Sequence, residues 1–423
     1  MKTKKIVFEL LEESKTYPEL EIMPRDKKNE LYNLLKTGEI ITISGVRRCG
    51  KSYLILSILN DLPDALYVNF EDERLAGFKV DNLKEIYKSF IEIKNPGQKP
   101  YFLLDEIQEV FGWEKWVRRM HDSKKLNFIL TGSNASLLAP EIATTIGGRN
   151  IEINLFPLSF KEFIEIKKFK INYLTENKTA KIKYYLNEYM EFGGFPNVSL
   201  VSGAFEKKKI LSGYFNTIVY KDIIKRFEIR DVEQFREFAV YLITNSSALT
   251  SYYKLKNIFK IGVETVKNYL NYMETAFLTF NVPIFSYKLK DQMKYPRKIY
   301  CIDTGLRNAV SFRFMEDKGK QYENIVAVEL KRQGKEIYYW KSEKHLEVDF
   351  VIKENLEPKQ LIQVSWNIEN SKTKNRETKA LAAAMDEFNL NYGVIITEDY
   401  ENEEHIGEKQ IIYKPLWKWL LEK

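Results

Sequence analysis

Gly45-Val46-Arg47-Arg48-Cys49-Gly50-Lys51-Ser52 is the stretch on which the reading of this chain turns. Ahead of it runs Ile40-Ile41-Thr42-Ile43, apolar and β-branched; behind it Tyr53-Leu54-Ile55-Leu56-Ser57-Ile58-Leu59 carries apolar residues at helical spacing. A strand, a glycine loop and a helix in that order, with the spacing G-x-x-x-x-G-K-[ST], make a phosphate cradle. Gly45 and Gly50 permit backbone angles that let successive amides line an anion. The helix beginning near Lys51 turns its positive dipole end to the same anion. Gly45, Val46, Arg47, Arg48, Cys49, Gly50, Lys51, Ser52 and Tyr53 are thus the expected nucleotide contacts. Lys51 is expected on the β- and γ-phosphates and Ser52 on Mg²⁺.

Beyond the loop, Ala65-Leu66-Tyr67-Val68-Asn69-Phe70 reads as a second buried strand, and Tyr101-Phe102-Leu103-Leu104 as a third that runs into Asp105-Glu106. An acidic pair at that strand end suits two tasks: Asp105 as a metal ligand, and Glu106 as the general base that polarises the attacking water. A fourth strand, Asn127-Phe128-Ile129-Leu130, ends in Thr131-Gly132-Ser133-Asn134. Asn134 is the candidate sensor of the γ-phosphate or water; a helix N-cap is the other reading for Ser133. Arg149, before the strand Ile151–Leu155, is a candidate for charge supplied to the transition state in the same or a neighbouring subunit, or else a surface contact. Strands interleaved with helices predict a parallel, doubly wound α/β sheet with its ligand at the strands' carboxyl ends.

The chain is 423 residues long, with 44% hydrophobic, 14% aromatic and 30% charged residues, enough for several folded cores. No run nears the roughly 18 apolar residues of a membrane span. Glu9, Glu12 and Glu13 interrupt the short apolar segment behind Met1-Lys2-Thr3-Lys4-Lys5 too early for a signal peptide. Cys49 and Cys301 make no disulfide framework, and three histidines make no metal cluster. A reduced, cytoplasmic setting without membrane contact is expected. The net charge of +7 permits nucleic-acid binding without establishing it.

Further motifs give the chain a family resemblance. Val46 to Ser52, Leu104-Asp105-Glu106-Ile107-Gln108 with Trp113, Thr131-Gly132-Ser133, Gly148-Arg149 and Phe156-Pro157-Leu158-Ser159-Phe160-Lys161-Glu162-Phe163 resemble the archaeal and bacterial AAA+-like P-loop ATPases with an uncharacterised C-terminal module. The likeness continues through Gly193-Gly194-Phe195-Pro196 and Ile302-Asp303-Thr304-Gly305-Leu306 to Val348-Asp349-Phe350. It implies an ATPase domain over residues 1–157 and a helical lid over 158–228.

Residues 229–300 read as a winged helix. Thr250–Phe259 and Glu264–Met273 are short helices about the turn Ile261-Gly262. Phe285–Lys290 and Lys294–Tyr300 are expected to pair as a basic hairpin whose Lys288, Lys290, Lys294, Arg297 and Lys298 neutralise phosphates, while Thr265, Lys267 and Asn268 face the major groove. Such units also serve as protein connectors.

Residues 301–423 resemble the restriction-endonuclease-like α/β fold, whose active members gather a helix Glu, a strand Asp and Glu-x-Lys around divalent metal. Glu323 or Glu329 and Asp349 can fill the first two places, but Gln363-Val364-Ser365 stands where Glu-x-Lys belongs. Gln is a weaker ligand than carboxylate for a hard metal. A binding or assembly domain is therefore expected, unless Lys341 or Lys353 substitutes for the missing cation.

Together these readings predict a magnesium-dependent ATPase whose nucleotide state controls a half that binds DNA through the winged helix or a protein partner through the C-terminal domain, as a single chain or an oligomer. The alternatives are an ATP-regulated DNA nuclease and a nucleotide-gated scaffold with little hydrolysis.

Overall fold

Ile40–Ser44 forms strand β1 because its β-branched side chains suit a surface covered on both faces, and every residue of it is buried. The computed structural model describes residues 2–17, 25–97, 99–133, 145–171, 175–311 and 318–422. The chain divides into two units, Met1–Pro157 and Leu158–Lys423.

In the first unit β1 is joined by β2 (Ala65–Asn69), β3 (Tyr101–Asp105), β4 (Asn127–Gly132) and β5 (Asn150–Asn154) in a parallel sheet of order β2-β3-β4-β1-β5. That order sets the carboxyl ends of β1, β4 and β3 side by side, so the residues just beyond them share one edge. Apolar residues of β2, β3 and β4 pack against the Val80–Lys94 and Trp113–Asp122 helices. The lead-in is two helices, Lys2–Ser14 and Lys27–Leu35. Ile6, Val7, Leu10 and Leu11 of the first are buried in the sheet's core, so the basic, apolar start of the chain is a structural helix. Asn134 lies outside the described residues.

The second unit opens with the Phe160–Ile166 helix. Ser159 Oγ accepts from the Glu162 amide at 3.1 Å, and a Glu162 carboxylate oxygen accepts from the Ser159 amide at 2.8 Å. This reciprocal cap explains the Leu158-Ser159-Phe160-Lys161-Glu162 wording physically. Two other motifs meet as one joint. Asp303 takes hydrogen bonds from the amides of Gly194 (2.7 Å) and Leu306 (3.0 Å). A Cβ on Gly305 would stand 2.1 Å from the Phe192 carbonyl oxygen, so only glycine allows that approach.

A three-stranded antiparallel sheet of order β6-β8-β7 follows, from β6 (Leu249–Thr250), β7 (Thr279–Val282) and β8 (Arg297–Cys301). Beside it lie the Val232–Thr244, Tyr252–Phe259 and Val263–Thr275 helices. The expected hairpin of Phe285–Lys290 with Lys294–Tyr300 is corrected here. β8 pairs with β7, and residues 283–296 are their connection, carrying the short Leu289–Lys294 helix. Pro283 ends β7 because it has no amide to give the ladder. The chain then touches β9 (Glu336–Lys341), where the Phe285 amide donates to the Tyr339 carbonyl at 2.6 Å.

The last sheet adds β10 (Glu347–Glu354), β11 (Glu357–Val364), β12 (Tyr392–Thr397), β13 (Asn402–Ile406) and β14 (Lys409–Pro415) in the order β13-β14-β12-β11-β10-β9. It is mixed: β11-β12 and β12-β14 are parallel, the other pairs antiparallel. The Lys318–Arg332 and Ser371–Phe388 helices bury apolar faces against it. Leu158, Tyr189, Tyr300, Tyr322, Phe350 and Trp417 share one hydrophobic cluster, so the core of this unit draws on residues from its start to its end.

Candidate functional site

Gly45 leaves β1 at φ +153, and a Cβ there would stand 2.1 Å from the Leu155 carbonyl oxygen. Gly50 sits at φ +103 as the residue before the Lys51–Leu59 helix. Arg48 holds the left-handed region at φ 69. These angles bend the loop around the helix start, where unpaired amides and the dipole favour an anion. Lys51 folds back inside the loop, its Nζ donating to the Gly45 carbonyl at 3.0 Å. It is buried, and two loop carbonyls and a carboxylate hold its ammonium in place.

That carboxylate is Glu106, whose Oε1 lies 3.7 Å from Lys51 Nζ. Glu106 has left-handed angles, φ 53, so the turn after β3 aims its side chain back over the sheet edge. Its Oε2 accepts from the Ser133 amide at 3.1 Å and from the Gln108 side chain. Burial alone would push the Glu106 carboxyl up, but Lys51, Gln108 and Arg47 outweigh it and hold the group below the ordinary range. It is held as the ionised carboxylate.

Asp105 is fully buried. Tyr67 donates to its Oδ2 at 2.7 Å and Thr131 donates to its Oδ1. The Ser52 hydroxyl is hydrogen-bonded to the same carboxylate. Burial, the largest influence, pushes the Asp105 carboxyl up despite these bonds. Ser52, on the first turn of the helix, and Asp105, at the end of β3, thus present hard oxygens side by side, a donor set that fits Mg²⁺.

Three residues, Tyr67, Arg25 and Glu71, join the site without any mark in the sequence, and Thr131 joins it from a motif that gives it no role of its own. Tyr67 and Thr131 hold Asp105 from the neighbouring strands β2 and β4. Arg25 clamps the loop, donating to the carbonyls of Cys49 at 2.7 Å and Phe156 at 2.6 Å. Glu71 receives Arg47 at 2.9 Å. Spacing cannot reveal them, because each arrives from a different strand or segment. Cys49 is buried, which pushes its thiol up, away from reactivity. Tyr53 is partly exposed on the first turn of the helix.

Arg149 is not brought to this loop. β5 is parallel to β1 with Asn150 opposite Ile40, so Arg149 stands at the amino end of the sheet. The phosphate loop leaves the other end, four residue steps away at about 3.3 Å each. Its guanidinium pairs with Asp122.

A family model described as an AAA domain matches residues 37–164. Two domains of unknown function, DUF8612 and DUF4143, match residues 183–317 and 318–419. The uncharacterized protein MJ1544 of Methanocaldococcus jannaschii is 37% identical over 99% of this chain and 96% of its own. An uncharacterized protein of Haemophilus influenzae is 32% identical over 94% of this chain and 98% of its own. Among solved structures, the Aeropyrum pernix Orc1 protein in complex with DNA aligns at a TM-score of 0.34 and 12% identity, over 68% of this chain and 93% of that one.

Proposed function

We propose that this chain, which belongs to the family of archaeal and bacterial AAA-domain proteins represented by these relatives, is a magnesium-dependent ATPase whose nucleotide state controls its C-terminal half. The observation that carries the reading is the grouping of Lys51 and Ser52, on the first turn of the helix behind the glycine loop, with Asp105 and Glu106 at the end of β3. The loop amides and Lys51 bind the β- and γ-phosphates of ATP. Ser52 and Asp105 would hold Mg²⁺, which when bound offsets charge on the phosphate oxygens. Glu106 accepts the proton of a water attacking the γ-phosphate in line. Val46, Arg47, Arg48, Cys49 and Tyr53 line the nucleotide. Asn134 is retained as the sensor by its place after β4. Arg149, at the far end of its own sheet, is left to act on a neighbouring subunit's nucleotide. Steady-state ATP turnover with and without duplex DNA tests the reading; no turnover under either condition would leave the scaffold alternative standing.

A DNA-binding role for residues 229–300 is favoured by one observation. The Val263–Thr275 helix buries Val266, Tyr269 and Met273 and leaves Lys267 and Asn268 exposed, while Lys288, Lys290 and Lys294 are exposed on the β7–β8 connection. This is the distribution a winged helix needs, with base-reading residues on one helix and phosphate contacts on the wing. Lys298 leaves that set, because it is buried.

A further inference from the structure

Three carboxylates of the C-terminal unit converge on one ammonium. Lys298 Nζ lies 2.7 Å from Asp349 Oδ1, 2.9 Å from Glu347 Oε1 and 3.0 Å from Glu323 Oε1. The side chain is 3% exposed. Glu347 and Asp349 come from β10 and Glu323 from the Lys318–Arg332 helix. The lysine comes from β8, in the other sheet of the same unit. Both Glu323 and Asp349 are residues whose positions resemble the metal ligands of a nuclease-like fold.

An ammonium has three donors, and here each has a carboxylate oxygen. Two of the acids have further donors. Asp349 Oδ2 accepts from the Val364 amide at 2.9 Å, and Tyr300 donates to Glu323 at 2.6 Å. Gln363, standing where a third acid is expected, accepts from the Asp349 amide at 3.0 Å and donates to Glu377 at 2.6 Å. Access is not what closes the centre, since a cavity of about 430 Å³ lined by Glu323, Glu347, Asp349 and Gln363 opens onto it. Among the described residues no group of three or more His, Cys, Asp and Glu side chains is arranged to hold a metal ion, and that includes these three acids as they now stand around Lys298.

We propose that Lys298 is the resident cation of this centre: its ammonium fills the place where Glu323, Glu347 and Asp349 would otherwise gather a divalent metal, and in doing so it fastens β8 to the six-stranded sheet. A lysine that served phosphodiester cleavage would need a donor free for substrate phosphate. This one has none to spare. The charge argument is the same one that governs any buried ion pair: removing one partner leaves the others uncompensated in a low dielectric. Taking away the lysine therefore leaves three acids that a hard divalent ion can satisfy.

The test uses the nucleotide-free full chain with Mn²⁺ as probe, followed by titration calorimetry and by thermal unfolding. The parent and Asp349→Asn should take up Mn²⁺ alike, because this centre contributes no metal binding in either. Lys298→Met should unfold at a lower temperature than the parent, regain part of that loss when Mn²⁺ is added, and bind one further Mn²⁺ that Lys298→Met/Asp349→Asn does not. A folded Lys298→Met with no added Mn²⁺ site would overturn the proposal. If that variant does not fold, the parent still decides: Mn²⁺ uptake lost in Asp349→Asn would show an occupied metal centre with the lysine in place.

Discussion

Lys51 and Glu106 face each other across 3.7 Å at the mouth of the phosphate loop, both buried. The pair joins the residue proposed to meet the γ-phosphate to the residue proposed to meet the attacking water. The ammonium is held by this carboxylate and by the Gly45 carbonyl. In the proposed reaction, arrival of the γ-phosphate would give Lys51 a stronger partner and release Glu106 toward water, so that binding and activation of the base would be one event.

The pH dependence of turnover follows from the same contact. Lys51 and its neighbours hold the Glu106 carboxyl below the ordinary range, so the base stays ionised across neutral and mildly acidic pH. A depressed carboxylate pKa shifts any loss of activity to lower pH. We expect kcat/KM for MgATP, which reports the free protein in which Lys51 still faces Glu106, to hold level from about pH 8 to about pH 6, since an ordinary Glu already titrates near 4.3. An acid limb centred near neutrality that vanishes in Glu106→Gln would contradict this.

Tyr67 should matter although nothing in the sequence marks it. Its hydroxyl is bonded to both Asp105 and Ser52. Tyr67→Phe removes one buried donor from the carboxylate, at a cost of about 1–3 kcal/mol for the group left short of a partner. The expected readouts are a lower unfolding temperature without ligand and a higher Mg²⁺ requirement for turnover. A variant unchanged in both would detach Tyr67 from the metal position.

On the DNA side, Lys288, Lys290 and Lys294 are the exposed charges to reverse. If the wing meets phosphate, reversing all three to Glu weakens duplex binding and reduces the salt slope by about 0.9 for each phosphate no longer neutralised. Binding of unchanged strength and slope would remove the connection from the interface. Lys298→Glu is unsuitable for this purpose, because it would strike the buried centre instead.

The joint between two motifs gives a stability prediction independent of nucleotide. Gly305→Ala places a Cβ 2.1 Å from the Phe192 carbonyl oxygen, within backbone that cannot easily yield. Overpacking of this kind typically costs about 1–3 kcal/mol. Denaturant unfolding should show that loss for Gly305→Ala and almost none for Gly319→Ala, which meets open space.

What is legible in the sequence divides by how far a residue's partners lie along the chain. The phosphate loop declares itself because strand, glycines, lysine and helix are consecutive, and Asp105-Glu106 because an acidic pair ends an apolar strand. The strands and helices of the last sheet through Ile396 are likewise readable from local alternation, though β13 and β14 are not. Lys298 hides for the opposite reason: in Lys294-Tyr295-Pro296-Arg297-Lys298 it resembles one more wing charge. Only the pairing of β8 with β7, and three acids brought from residues 323 to 349, make it a buried cation. Arg149 shows the same limit. Its place before β5 suggests proximity to the loop, whereas parallel register puts it at the opposite end of the sheet.

Single-turnover hydrolysis by Glu106→Gln, beside Lys51→Ala, decides whether Glu106 activates water over a phosphate held by Lys51. The amide keeps the shape of the carboxylate but cannot accept the proton. Glu106→Gln should therefore bind MgATP as the parent does and hydrolyse it slower by roughly 100-fold or more, while Lys51→Ala should lose most of its binding. Hydrolysis by Glu106→Gln at the parental rate would take the role of base away from Glu106.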